Sequence, residues 1–178
     1  MRVLAGKYKS RKIMTINSPE TRPMMSKVRE AVFNSLQFHI EGNDVLDLYA
    51  GSGSMGIEAL SRGAGFVTFV DHSKKCVEIL NKNLKNYDLN FKITNTSAKS
   101  FITNSLNTYK IIFYDPPFLL SHDIVNEEVN LIANILSEQG YLVVHRHSSS
   151  SDVLFSKFYE IIKEKKYGQS KILLLRKL

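Results

Sequence analysis

Cysteine is nearly absent from this chain. Cys76 stands alone among 178 residues, so no intrachain disulfide can form, and a reducing compartment is the natural home. No stretch approaches the roughly 20 apolar residues of a membrane span. Residues 1–11 lack the apolar run of a signal peptide. A soluble cytoplasmic protein with no membrane partner is expected. Repeats are missing, and the one low-complexity stretch, residues 148–151, reads as a short loop. The five histidines, His39, His72, His122, His145 and His147, lack zinc-ligand context, so no metal is expected. His145-Arg146-His147 follows a predicted strand near the expected substrate edge and reads as solvated surface, an RNA contact being the alternative.

Acidic residues are scarce at the start. Residues 1–29 carry eight basic side chains (Arg2, Lys7, Lys9, Arg11, Lys12, Arg22, Lys27 and Arg29) against one acid, Glu20. The remainder holds 16 basic and 16 acidic residues, so the whole net charge of +7 sits in the first sixth of the chain. A concentrated basic segment beside a neutral body points to a polyanion contact, nucleic acid being the usual one. A basic solvated tail is the alternative.

At 178 residues and 43% hydrophobic, the chain can bury a single sizeable core. Residues 3–13 alternate around Gly6 and Lys7 and predict a hairpin whose basic residues line one surface. Ser18-Pro19 and Arg22-Pro23 mark a loop. Ser26 is the expected N-cap of a helix running to about Phe38, with Val28, Val32 and Leu36 along its apolar face.

From Asp44 onward strands and helices alternate. Strands are predicted at 45–49, 66–71, 91–95, 110–115 and 141–146, and helices at 54–61, 74–87, 98–105 and 124–137. Gly63 and Gly140 stand where glycines end helices. This alternation implies a mostly parallel sheet with helices on both faces. Two further strand-like runs, 158–163 and 171–175, meet near Tyr167-Gly168 as an antiparallel hairpin. The expected division is a basic extension, residues 1–43, and a catalytic domain, residues 44–178.

Gly51-Ser52-Gly53-Ser54-Met55-Gly56 matches G-x-G-x-x-G between a strand and a helix, and Asp71 follows at the end of the next strand. Glycines let a ligand approach the backbone, and the carboxylate can accept from ribose hydroxyls. Nicotinamide enzymes and methyltransferases share this layout. Asp47, four residues before Gly51, favours the second. An anion there would repel a pyrophosphate and welcome the amino group and sulfonium of S-adenosyl-L-methionine. An N-cap or turn carboxylate is the bland account of Asp47.

Asp115-Pro116-Pro117-Phe118 is the sharpest feature. It closes a strand at the sheet edge where α/β folds bind ligands. An aromatic amine is a poor nucleophile because its lone pair is delocalised. The Asp115 carboxylate and the Pro116 carbonyl can accept its two N–H groups and oppose the charge that builds on nitrogen. The prolines stiffen the loop, and Phe118 offers a face for a flipped base. An ordinary Pro-Pro turn is the alternative.

Together these residues resemble the RsmD family, methyltransferases that modify N2 of a guanine in 16S ribosomal RNA. The resemblance spans nearly the whole chain. It rests on Arg2-Val3-Leu4-Ala5-Gly6 with Lys9-Ser10-Arg11-Lys12, on Arg22-Pro23 with Val28-Arg29-Glu30-Ala31-Val32-Phe33-Asn34, and on Leu46-Asp47-Leu48-Tyr49-Ala50-Gly51-Ser52-Gly53. Gly56-Ile57-Glu58-Ala59-Leu60-Ser61-Arg62-Gly63-Ala64, Asp115-Pro116-Pro117-Phe118 and Tyr167-Gly168 complete it. It implies a Rossmann-like class I methyltransferase with a seven-stranded sheet. S-adenosyl-L-methionine would be held by Asp47, Tyr49, Ala50, Gly51, Ser52, Gly53, Gly56, Asp71, His72, Ser97 and Ala98. Arg2, Lys7, Lys9, Arg11, Lys12, Arg22 and Arg29 would bind RNA, and Asp115, Pro116, Pro117 and Phe118 would carry catalysis. The implied partner is 16S rRNA within the assembled or assembling small subunit, met by a monomer. Relatives tend to carry Thr-Asp at Met25-Ser26, an acid near Ser97-Ala98, and Glu in place of His145. A DNA adenine-N6 methyltransferase, a nicotinamide oxidoreductase and a non-catalytic RNA-binding assembly protein are the rival readings.

Overall fold

The computed structural model describes residues 1–15, 25–88 and 90–178. The predicted loop at Ser18-Pro19 and Arg22-Pro23 lies outside them. The described residues form these elements in order: α1 (Ser26–Ser35), β1 (Asp44–Leu48), α2 (Ser54–Ser61), β2 (Phe66–Asp71), α3 (Lys74–Leu84), β3 (Phe91–Asn95), α4 (Ala98–Asn104), β4 (Tyr109–Tyr114), α5 (His122–Ile132), β5 (Leu136–His147), β6 (Tyr159–Tyr167) and β7 (Ser170–Lys177).

The strands form one seven-stranded sheet in the order β3-β2-β1-β4-β5-β7-β6. The first five run parallel, and β7 returns antiparallel between β5 and β6. Strand order reverses between β1 and β4, so their carboxyl ends part at a topological switch point where open α/β sheets take ligands. The register pairs Leu48 with Tyr114 there. The residues just beyond each, the glycine turn and Asp115, therefore emerge side by side.

Two apolar layers cover the sheet. One gathers Val45, Phe69, Ile111 and Phe113 with Met55, Ile57 and Leu80. The other gathers Leu46, Leu48, Ile112 and Tyr114 with Val125, Val129 and Ile132. The alternation along β1 and β4 explains the split, because successive side chains of a strand point to opposite faces.

The N-terminal extension belongs to the first layer. Val3, Ile13, Val28, Val32, Phe33 and Leu36 are buried in it. Residues 2 and 12 form a single antiparallel bridge rather than a full strand pair. Beyond it the chain folds against α2. The amide of Lys7 donates to the Ser61 carbonyl at 2.8 Å, and the Leu4 and Ala5 amides donate to Glu58 at 2.8 and 3.1 Å. Gly6 is required by this contact, since a Cβ there would come within 1.8 Å of the Ser61 carbonyl oxygen.

Several element ends differ from expectation. The cap of α1 is Met25, not Ser26, and α1 stops at Ser35. Helix α3 ends at Leu84, and Tyr87 packs on Tyr8 instead, with ring centroids 4.4 Å apart. Helix α5 starts at His122, because the Ser121 hydroxyl caps it by accepting from Ile124. It ends at Ile132, and Leu136 already pairs with Tyr109 in β5. Gly140 therefore ends no helix. It lies within β5 where the pairing register with β4 shifts, and a Cβ there would press on the Ser137 carbonyl.

Candidate active site at the sheet switch point

The turn after β1 runs through the left-handed backbone region. Tyr49, Gly51 and Gly53 all have positive φ, of 58°, 55° and 80°. A Cβ on Gly51 would meet only the Tyr49 carbonyl oxygen, at 4.0 Å, whereas one on Gly56 would strike the Phe69 ring at 2.2 Å. Gly51 thus keeps the backbone open, and Gly56 lets α2 lie close on the sheet.

Gly53 sits at the N-cap of α2 and supplies no side-chain acceptor. Asp47 takes that place. Its Oδ2 accepts from the Gly56 amide at 2.8 Å, so the turn-carboxylate reading of Asp47 is realised. Burial pushes the Asp47 carboxyl well above the ordinary carboxylate range. The Gly56 amide pulls it back, and the charges of Asp115 and Asp71 add to the push. Asp71 accepts from the Gly51 amide at 2.8 Å and from the Ser73 amide at 2.9 Å. His72 is exposed beside it.

Ser52 and Tyr49 are half-buried and Ala50 is buried. The Tyr49 hydroxyl donates to Glu128, as does that of Tyr114 at 2.7 Å. Ser97 caps α4 by accepting from the Ser100 amide at 3.2 Å, and Ala98 is buried behind it. Three acidic side chains around a glycine turn fit a cationic cofactor by the chemistry of the donor set. Asp47 is 2 % exposed, so its influence on such a ligand runs through its field and through Gly56.

Asp115 closes β4 within reach of this cluster. Its amide lies 3.4 Å from the Leu48 carbonyl, which ties the two loops. Pro116 is buried, Pro117 exposed and Phe118 half-buried. Arg146 of β5 holds the loop from below. Its guanidinium donates to the Pro117 carbonyl at 3.1 Å and to the Leu120 carbonyl at 3.0 Å. Burial lowers the Arg146 pKa, and Tyr114 and Asp115 offset this.

His145 corrects an expectation. It is not solvated surface but 3 % exposed. Its Nδ1 lies 2.7 Å from Asp115 Oδ1, and its Nε2 lies 2.9 Å from the Ser170 hydroxyl. The Phe118 ring meets the imidazoles of His145 and His147 at steep angles, each at 5.3 Å between centroids. A signal for His145 and Arg146 was present. They follow Leu142-Val143-Val144 directly, and polar residues continuing a buried strand need partners.

The basic residues separate into two groups. Arg2, Lys7, Lys9 and Lys12 are exposed. Arg11 is half-buried, with its guanidinium 4.1 Å from the Tyr87 ring centroid and donating to the Asn86 carbonyl. Arg29 is a second correction. It is fully buried, donates to the Arg2 carbonyl, and lies 4.0 Å from Glu58, so it cannot reach a phosphate. It anchors the extension to α2. Arg22 lies outside the described residues.

Residues 1–176 match the family described as conserved hypothetical protein 95. Ribosomal RNA small subunit methyltransferase D of Buchnera aphidicola subsp. Acyrthosiphon pisum (strain APS) is 32% identical over 167 residues, covering 92% of this chain and 86% of that protein. The solved "Putative methyltransferase yhhF from Escherichia coli" superposes with a TM-score of 0.89 at 29% identity, covering 99% of this chain and 97% of that one. At the level of fold alone, "SMU.776, a putative methyltransferase complexed with SAH" superposes with a TM-score of 0.73 at 16% identity, covering 83% and 49%.

Proposed function

This chain belongs to the RsmD family of methyltransferases, and from that premise we propose that it methylates the exocyclic N2 amine of a guanine in 16S ribosomal RNA, with S-adenosyl-L-methionine as donor. One observation carries the reading. Asp115 of the D-P-P-F loop stands beside the glycine turn at the switch point, within the field of Asp47. A site that gathers carboxylates around an open turn suits a sulfonium donor and an amine acceptor together.

Bound there, S-adenosylmethionine supplies an electrophilic methyl group. The chain's own residues do the rest. Gly51 keeps the turn open, and Asp71 and the α4 N-terminus at Ser97 and Ala98 offer partners to the ribose and adenine. The Asp115 carboxylate and the Pro116 carbonyl accept the two N–H groups of the guanine amine, which aims the nitrogen lone pair and offsets its growing positive charge. Phe118 receives the base after it leaves its stack. Arg146 fixes the loop on which all of this depends. Arg2, Lys7, Lys9, Arg11 and Lys12 hold phosphates, and Arg22 joins them in this reading. The protein acts as a cytoplasmic monomer on the assembled or assembling small subunit. Residues 1–43 form its RNA-contacting extension and residues 44–178 its catalytic domain.

The test is methyl transfer from labelled S-adenosylmethionine to small subunits, naked 16S RNA and DNA from cells lacking the protein, followed by nucleoside analysis. N2-methylguanosine in the RNA is expected. N6-methyladenine in the DNA would move the target, and no transfer at all with cofactor bound would sink the reading.

A further inference from the structure

His145 is a buried titratable group that the mechanism above does not use. Its two ring nitrogens are both engaged, one by Asp115 of the catalytic loop and one by Ser170 of β7. Nδ1 and Asp115 Oδ1, 2.7 Å apart, cannot both present lone pairs, so a proton lies between them. With Asp115 ionised, that proton belongs to Nδ1, and Nε2 meets the Ser170 hydroxyl as acceptor in the neutral ring or as donor in the imidazolium.

Asp115 needs such a partner. Its charge adds to the field on Asp47, so the two carboxylates repel. A free carboxylate could also rotate away from the position an amine requires. The ring has little freedom of its own. β7 lies beside β5, with Ile172 opposite His145 and Ser170 opposite His147, and Phe118 stands edge-on to the ring. Arg146, next in the chain, is turned to the carbonyls of Pro117 and Leu120.

We propose that His145 is a positioning residue for catalysis: its Nδ1–H holds Asp115 Oδ1 and leaves Oδ2 as the acceptor for the substrate amine, while Ser170 fixes the ring from behind. The role rests on the reading of Asp115 as the amine's acceptor. His145 acts through Asp115, since the ring is 3 % exposed and both of its nitrogens are engaged within the protein.

Two substitutions separate positioning from support. The amide nitrogen of His145→Asn overlays Nδ1 and can still donate to Asp115. That of His145→Gln overlays Nε2 and reaches only Ser170. With full-length protein, labelled S-adenosylmethionine and small subunits, His145→Gln is expected to lower kcat roughly 10- to 100-fold, the effect of losing one hydrogen bond to a charged group. KM for the subunits and cofactor affinity should hardly move. His145→Asn should recover most of the loss. Equal kcat in the two variants, whether both retained or both lost, would overturn the proposal.

Nitrogen-15 spectra of the unmodified protein give a readout without turnover. A proton on Nδ1 at neutral pH is expected, and a bare Nδ1 would overturn the arrangement. If the wild-type protein transferred no methyl group to RNA, the proposed function and this role would fail together. Wild-type turnover with insensitive His145 variants would sink this inference alone.

Discussion

The Gly56 amide donates to Oδ2 of Asp47 across 2.8 Å, so a buried carboxyl on β1 caps the helix that follows the glycine turn. Cap and charge pull in opposite directions. The hydrogen bond favours the ionised form, while burial and the charges of Asp115 and Asp71 oppose it.

Asp47→Asn keeps an acceptor for Gly56 and removes the charge. It should therefore stabilise the ligand-free protein by about 1 kcal/mol while weakening S-adenosylmethionine binding. The folded carboxyl titrates above its unfolded counterpart. Between those two values the folded state holds a proton that the unfolded chain has lost. Stability of the wild type relative to the variant should thus fall as pH rises from the ordinary carboxylate range through the raised value. Paired thermal melts against pH check this, and a flat difference would count against it.

Asp115→Ala should cut methyl transfer by roughly 100- to 1,000-fold, the scale of losing a preorganised partner for transition-state charge. Cofactor titration by calorimetry should give near-normal affinity. Full turnover in this variant would refute the assignment of Asp115.

Arg146→Leu removes the guanidinium from the carbonyls of Pro117 and Leu120, leaving Pro117 only the Leu120 amide as donor. A loss of about 2–3 kcal/mol in stability is expected, because two hydrogen bonds to a charged group disappear. The Leu120 amide, which donates to Pro117, should exchange its hydrogen faster. Unchanged exchange would mean that Arg146 does not hold the loop.

Gly6 and Gly168 make a paired test of the docked extension. Both have positive φ, of 82° and 58°, but a Cβ on Gly168 meets nothing within 4 Å. Gly168→Ala should cost about 1 kcal/mol, for backbone strain alone. Gly6→Ala must also push residues 5–8 off Ser61, and should cost clearly more by urea denaturation. Equal midpoints would show that the extension contributes little.

Replacing Lys7, Lys9 and Lys12 by Ala should weaken RNA binding and lower the slope of log affinity against log salt by about 0.7 for each phosphate no longer neutralised. Filter binding across a salt series measures it. Arg29, buried against Glu58, should affect stability and leave that slope alone.

Residues 44–178 were largely readable from the chain because their signals are local. Strand and helix periodicities alternate, and the glycine turn and D-P-P-F motif each occupy a few consecutive positions. Strands β2 and β3 fall at their expected bounds. Helix ends were less readable. Ser121 and Ser26 are equally plausible caps by type, yet Ser121 accepts from the Ile124 amide while Met25, with no side-chain hydrogen bond, stands at the cap of α1.

The residue types on offer are written along the chain: an acidic strand, a glycine turn, a proline-stiffened loop and a basic start. Which polar residues lie inside, and what they meet there, was left to the folded arrangement. Arg29 and Lys9 share one basic run, yet one is buried and the other exposed. His145 and His147 are two residues apart, and only His145 reaches Asp115. Pairing between distant segments makes the difference. The placement of β5 between β4 and β7 sets Asp115 and Ser170 on either side of one ring, and no local pattern in the sequence encodes that neighbourhood.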